Sequence, residues 1–124
     1  MNGLNGLVWV FSLVLAVVFL VTGANRVFRY EKARDLFPWV KDVPRALVQV
    51  IGIAEILGAL GLILPVATGI YAWLTPVAAA ALGLLMFMAA VFNGVRHERA
   101  EVALNVLLLL MLAFVAYVRW PLMP

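Results

Sequence analysis

Four long apolar segments, separated by shorter polar ones, dominate the chain, and they cover residues 4–24, 46–64, 70–92 and 102–118. Each is close to the roughly 20 residues that a helix needs to cross the hydrocarbon core of a bilayer. A transmembrane barrel needs many alternating strands of about ten residues, which four segments do not supply. The pattern therefore predicts an all-α polytopic membrane protein, a four-transmembrane-helix bundle in a single domain over 1–124.

Turn-forming residues predict where these helices begin and end. Asp42 and Pro44 are typical of a helix start, with a capping carboxylate and a proline in the first turn. Pro65 and Gly69 bracket a very short turn, so the second and third helices should form an antiparallel hairpin. Asn93 stands where the third segment ends, and a C-terminal cap is its commonest use in that position.

Pro76 falls inside the third segment and allows two interpretations. A proline within a helix removes a backbone donor and would kink the helix near Ala72, with Thr75 partly satisfying the freed carbonyl. Alternatively, the regular helix starts near Pro76, and Tyr71 and Trp73 lie at the membrane interface. The sequence leaves both open.

Positive charge is concentrated on one side of this arrangement. Of the nine Lys and Arg residues, all but Arg119 lie in the loops 25–45 and 94–101. The positive-inside rule then places both basic loops in the cytoplasm and both termini outside. The longer loop also carries three aromatic residues that suit a segment lying at the head-group level, namely Tyr30, Phe37 and Trp39.

Composition supports a membrane protein and narrows its chemistry. Hydrophobic residues make up 67% of the 124 residues, against about half in a soluble domain, and the mean hydropathy is +1.12. The absence of cysteine excludes disulfide scaffolds, thiol chemistry and cysteine-held clusters. The single histidine, His97, lies in a polar loop and favours neither a metal site nor a haem. The net charge of +3 indicates anionic lipid head groups rather than nucleic acid as the partner.

Glu55 is the most informative residue, because it lies near the middle of an apolar segment that contains no Lys or Arg. Ionisable residues at that depth usually face a bundle interior and often mark function. On a helix, Gln49, Gly52, Glu55 and Ala59 fall within about a third of the circumference. A neighbouring strip of small residues allows close helix packing, and it consists of Ala54, Gly58 and Gly61. We therefore expect Glu55 to point into the bundle.

Three roles for an inward Glu55 stay open: it pins helix packing, contacts a ligand or partner, or transfers protons. No catalytic set is visible, which argues against an enzyme acting alone. The leading hypothesis is a non-catalytic membrane protein that binds a membrane partner or a small lipophilic ligand, with Glu55 as the polar anchor. The candidate helpers are Asn105, Gln49, Asn93 and Arg26, although Asn105 could simply aid packing and Arg26 could simply fix topology.

Two rival hypotheses remain. The first is an accessory subunit of a quinone-linked redox system, because a quinone head group needs hydrogen-bond partners that Glu55 or Asn105 could supply. Under this hypothesis quinone would be the cofactor; the sequence makes no other cofactor evident. The second is a small proton-coupled transporter or channel. That role would require a homo-oligomer, since four helices with one acid make a poor pathway.

Several motifs resemble those of the DoxX-like membrane proteins over nearly the whole chain. The first segment ends in Gly23-Ala24-Asn25-Arg26-Val27, similar to that family's glycine–x–x–lysine–leucine ending. Residues 44–65 read PRALVQVIGIAEILGALGLILP, which resembles its second-helix signature of a starting proline, isoleucine-glycine, a glutamate, glycine-leucine and a closing proline. Thr68-Gly69, Asn105 and Tyr117-Val118-Arg119 also fit.

The chain departs from that family at two positions. Arg26 stands where lysine is usual, which keeps the charge but changes its geometry, and Asn93 stands where many relatives carry a histidine. The resemblance implies a four-helix bundle, and we expect a bacterial-type cytoplasmic membrane. It implies roles as varied as accessory subunits in quinol or thiosulfate oxidation, redox maturation and the assembly of other proteins, and fold alone does not choose among them.

Overall fold

The computed structural model describes residues 2–31, 35 and 42–122. Within them the chain forms four long helices, α1 (Asn2–Phe28), α2 (Arg45–Thr68), α3 (Leu74–Val95) and α4 (Arg99–Arg119), and a 3₁₀ turn at Trp120–Leu122. Each helix is long and apolar enough to cross a membrane, which confirms the predicted all-α bundle. Some loop residues of the sequence analysis lie outside the described residues: Lys32, Arg34, Phe37, Trp39 and Lys41.

The four helices form a closed ring in which each packs against the next and α4 packs against α1. Large buried side chains along the bundle axis form the core, and they include Leu15, Phe19, Leu62, Leu82 and Leu112. Many large apolar side chains on the outer faces are exposed, as suits a surface that meets lipid. We call the end that carries the α1–α2 and α3–α4 connections the basic end; the α2–α3 turn lies at the opposite end.

The turn between α2 and α3 begins later than predicted. Pro65 lies inside α2, which continues to Thr68. Gly69 then ends the helix with a φ of 74°, a left-handed conformation that favours glycine. The prediction that Pro65 ends the helix is therefore wrong, because a proline within a membrane helix is tolerated when the freed carbonyl finds another donor.

Thr75 supplies that donor. Pro65 has no N–H, so the carbonyl of Gly61, four residues earlier, lacks its helical partner. The Thr75 hydroxyl donates to the Gly61 oxygen at 2.9 Å, and Thr75 is fully buried. The predicted role of Thr75, to compensate for Pro76, is therefore wrong. Because α3 begins at Leu74, Pro76 lies in its first turn, and the interpretation of a helix that starts near Pro76 is confirmed.

Two predicted helix caps are also wrong. No side chain caps α2, which begins at Arg45 directly after Pro44, and Asp42 instead pairs with Arg96 beyond the end of α3. Asn93 does not cap α3, since the helix runs past it to Val95. Asp42 pairs with a residue of another segment, and Asn93 is buried inside the bundle. Neither side chain forms the local capping hydrogen bond that the sequence suggests.

Candidate functional site

Glu55 points into the bundle, as predicted, and only 1% of its surface is exposed. Arg26 of α1, which is 7% exposed, forms an ion pair with one carboxylate oxygen of Glu55. The hydroxyl of Thr22, one turn earlier on the same face of α1, donates to the other oxygen at 3.0 Å. The buried carboxylate thus has a charged donor and a neutral donor, and both come from the neighbouring helix.

The placement of Arg26 corrects the sequence analysis, which assigned this residue to the loop 25–45. Helix α1 continues to Phe28, so Arg26 belongs to a helix and is buried. In a sequence, an arginine near the end of an apolar segment usually indicates the orientation of the helix in the membrane. Here the carboxylate of Glu55 on the next helix pairs with Arg26, so the arginine is buried instead. The partner that Glu55 lacks within its own segment therefore lies on α1.

Two glycines allow α1 and α2 to approach closely enough for this pair. A Cβ added to Gly23 would lie 2.6 Å from the Gly52 carbonyl oxygen, and one added to Gly52 would lie 2.9 Å from the Gly23 oxygen. Gly23 also faces the Cβ of Glu55, while Gly52 faces the Cβ of Arg26. Each glycine therefore makes room for the base of the charged side chain on the other helix.

Helix geometry then brings the two charged groups together. Side chains on a helix lean toward its N-terminus, and α1 and α2 run in opposite directions. Arg26 and Glu55 consequently lean toward each other across the contact. The sequence carried one signal of this arrangement, because Gly23 precedes Arg26, and Gly52 precedes Glu55, by the same three positions.

A cavity of about 240 Å³ lies beside this ion pair, and all four helices line it. Its polar lining consists of Thr22, Arg26, Glu55, Asn93, Glu101 and Asn105. Most of the remaining wall is aliphatic or aromatic, for example Val18, Phe19, Leu85, Met86 and Leu108. The cavity thus places a small group of polar side chains within an otherwise hydrocarbon-compatible wall.

Two amides in this lining have no hydrogen-bond partner in the described part of the chain. Asn93 and Asn105 are 3% and 8% exposed, and neither side-chain amide bonds to any of the residues that the structure describes. The Asn93 Oδ1 acceptor and the Asn105 Nδ2 donor are fully shielded from solvent. A buried polar group without a partner costs about 1–3 kcal/mol, so packing within the bundle does not by itself account for these two amides.

The structure brings together four of the five predicted site residues. Glu55, Arg26, Asn93 and Asn105 line one cavity. Gln49 is half-buried on α2, but it is not among the lining residues. Thr22 and Glu101 join the set, and nothing in their sequence context had marked either of them as part of a site.

Arg96 connects the two loops at the basic end. Its guanidinium pairs with Asp42, just before α2, and with Glu98, just before α4. It also lies over the ring of Phe92, 5.6 Å from the ring centre, and Phe92 lines the cavity. Hydrogen bonds to Glu98 and then to Asp42 raise the pKa of Arg96 above its already high ordinary value, so this link stays charged at physiological pH.

The side chains at the site can hold the polar groups of another molecule. They offer a guanidinium, carboxylates, a hydroxyl and two amides, all of which hold polar groups through hydrogen bonds. Within residues 2–31, 35 and 42–122, no three His, Asp or Glu side chains converge on a point that would hold a metal ion. A polar head group beside the amides and a hydrocarbon part along the apolar wall would match this lining.

Comparison with known proteins gives one match. The model of the DoxX-like family matches residues 10–115, a stretch that includes every residue lining the cavity. The chain has no significant match to a curated protein or to a solved structure.

Proposed function

Because the chain belongs to the DoxX-like family and is an integral membrane protein, we propose that it binds a small lipophilic molecule in the cavity between its four helices, without catalysing a reaction. The observation that carries this proposal is a cavity of about 240 Å³ beside the buried Arg26–Glu55 ion pair. In this role the pair acts as one polar anchor, because Arg26 and Thr22 hold the carboxylate of Glu55 in place.

The size of the cavity suits a small ligand. The cavity is partly open, since lining residues such as Leu47 and Met88 are exposed, so a molecule could enter from the side of the bundle. A cavity of about 150 Å³ already accepts benzene, whereas pockets for drug-sized ligands start near 300 Å³. A volume of about 240 Å³ lies between the two and suits one small molecule or one end of a lipid.

A pair of alanine variants on α3 tests this proposal. Ala89 lines the cavity, whereas Ala80 on the same helix is exposed on the outer surface. Native mass spectrometry and lipid extraction of the purified protein should recover a bound molecule from the wild type and from Ala80→Phe. Ala89→Phe fills the cavity and should lose that molecule. A wild type that carries no molecule, and that no lipophilic compound stabilises against heat, would contradict the proposal.

A second candidate function is an accessory subunit in a quinone-linked redox system. Its support is the pair of unpartnered amides, because Asn93 and Asn105 each carry an N–H group that can donate to a quinone carbonyl oxygen. Lipid extraction distinguishes this candidate from the first. Recovery of a quinone, together with a higher melting temperature on quinone addition, would support it; recovery of other lipids alone would count against it.

A further inference from the structure

We infer that the cavity selects single-chain lipids whose uncharged head group both donates and accepts hydrogen bonds, as the hydroxyls of a monoacylglycerol do. The same site should discriminate against an anionic lipid with the same chain. This inference rests on the proposed function and specifies the chemical class of its ligand.

The two amides determine which hydrogen-bonding groups a ligand needs. Asn93 on α3 and Asn105 on α4 line the same cavity, and neither amide is bonded to a described residue. An amide carries an acceptor oxygen and a donor nitrogen. Whichever way each amide is turned, the unmatched groups include both donors and acceptors. A head group with hydroxyls can satisfy both kinds, whereas a carboxylate or a simple ketone offers acceptors only.

The charges of the lining disfavour an anion. Among the residues that the structure describes, Arg26 is the one basic residue in the wall, and it is paired with Glu55. Glu101 adds a second carboxylate to the lining, and it forms no ion pair with any residue among the described ranges. The described residues of the wall therefore carry a formal charge of −1, so an anionic head group would meet like charge there.

A cationic head group is the remaining alternative, and the amides argue against it. Glu101 is only half-buried and lies in the first turn of α4, where the helix dipole already stabilises its negative charge. The amides of Asn93 and Asn105 are more deeply buried and have no comparable compensation. The uncompensated groups of the cavity are therefore mainly uncharged hydrogen-bond donors and acceptors, which favours a neutral head group over a cationic one.

The dimensions of the cavity suit a ligand with one chain better than one with two. Along α3 the lining extends from Asn93 at the basic end to Leu85, about 12 Å at a rise of about 1.5 Å per residue. Its inner part is apolar and includes Val18 and Leu85. The cavity volume of about 240 Å³ falls below the lower limit of about 300 Å³ for drug-sized ligands. One short chain fits this space, with its head group near the amides.

Three probes of equal chain length test the selection: monodecanoylglycerol, decanoate and decylamine. Each is titrated into the purified wild type in a maltoside detergent, and native mass spectrometry and thermal melting report binding. We expect monodecanoylglycerol to bind at least about tenfold more tightly than decanoate, the equivalent of about 1.4 kcal/mol. Decylamine should fall between them, because Glu101 attracts it while the amides stay unmatched.

Matched amide variants locate the selectivity. Asn93→Leu and Asn105→Leu should each reduce the preference for monodecanoylglycerol over decanoate by about tenfold. Gln49→Leu removes an amide from the same bundle outside the cavity and should leave the preference unchanged. Where a leucine variant does not fold, Asn→Ser at the same position keeps one donor and one acceptor and should retain part of the preference.

The outcomes separate this inference from the proposed function. If decanoate or decylamine binds most tightly to the wild type, or the asparagine variants leave the ranking unchanged, the selection inferred here is wrong and the binding function stands. If none of the three probes binds and no molecule copurifies with the wild type, both fall. The ranking in the wild type decides the inference even without a variant.

Discussion

The Thr75 hydroxyl donates to the carbonyl oxygen of Gly61 at 2.9 Å, so the third helix provides the hydrogen bond that Pro65 withholds from the second. The contact joins α2 to α3 next to their turn. It also lets α2 continue through Pro65 to Thr68 without leaving a buried carbonyl unpaired. The proline and the threonine thus form one structural unit, although they lie ten positions apart in the sequence.

Replacing Thr75 tests this unit. Thr75→Val keeps the side-chain shape but removes the donor. It should destabilise the protein by about 0.6–1.7 kcal/mol, between the mean and the maximum measured for interhelical hydrogen bonds within a membrane protein. Thr75→Ser keeps the hydroxyl and should remain near wild-type stability. Unfolding titrated with SDS in mixed micelles measures the difference.

A double variant provides the control. In a Pro65→Ala background the new backbone N–H can bond to the Gly61 carbonyl, so Thr75→Val should then cost much less. Equal losses in both backgrounds would show that the two residues do not share the carbonyl.

The contact between Gly23 and Gly52 should be equally sensitive. A methyl group at Gly23 would lie 2.6 Å from a backbone oxygen, which forces α1 and α2 apart and strains the ion pair beside it. We expect Gly23→Ala to lower the free energy of unfolding by about 1–3 kcal/mol, as overpacking does. Gly83→Ala is the matched control, because its Cβ would meet the nearest atom at an ordinary 3.5 Å. Comparable losses in the two variants would contradict the proposed close contact.

Removal of one charged partner should destabilise the bundle more than removal of both. Arg26→Met leaves the buried carboxylate of Glu55 uncompensated, which costs about 3–5 kcal/mol in proteins generally. The double variant Arg26→Met with Glu55→Leu removes both charges and should recover part of that loss. Size-exclusion chromatography and thermal melting in detergent measure the recovery. Arg29→Met, at an exposed position beyond α1, should behave as the wild type. A double variant as unstable as the sum of the two single changes would refute the pairing.

The proposed orientation has a direct test, because the chain contains no cysteine. Single cysteines at Ile70 and Ala100 lie at opposite ends of the bundle, and both positions are exposed. If the basic end is cytoplasmic, a membrane-impermeant maleimide should label Ile70→Cys in intact cells and Ala100→Cys only after permeabilisation. The reverse pattern would invert the orientation.

The sequence predicted the elements of this fold better than their ends. Hydropathy identified all four helices, since each needs about 20 apolar residues whatever its neighbours are. The ends of the helices depend on tertiary contacts that single-segment signals do not contain. Pro65 is tolerated because Thr75 is nearby, and Asp42 finds Arg96 instead of a helix terminus.

The candidate site shows the same division between local and tertiary information. The inward direction of Glu55 followed from the cost of exposing it to lipid, and Arg26, Asn93 and Asn105 line the same cavity as Glu55. Arg26 was nevertheless placed in a loop, because a charged residue lowers the local mean hydropathy and so marks the apparent end of an apolar segment. Gln49 shares a broad face of α2 with Glu55, but it is half-buried and is not among the residues that line the cavity.

The Arg26–Glu55 pair also bears on how the chain is inserted during its synthesis. An ionised side chain near the centre of a lone helix opposes transfer from the translocon into lipid by about 2.5–3.5 kcal/mol. Glu55 is such a residue in α2, whereas Arg26 lies in the last turn of α1, where a lone helix can keep the charge at the interface. Pairing with Arg26 lowers the cost of inserting Glu55 into lipid. Entry of α1 and α2 into lipid together, as a hairpin, is therefore favoured over their entry one at a time. The first two helices would then pair while they are still at the translocon.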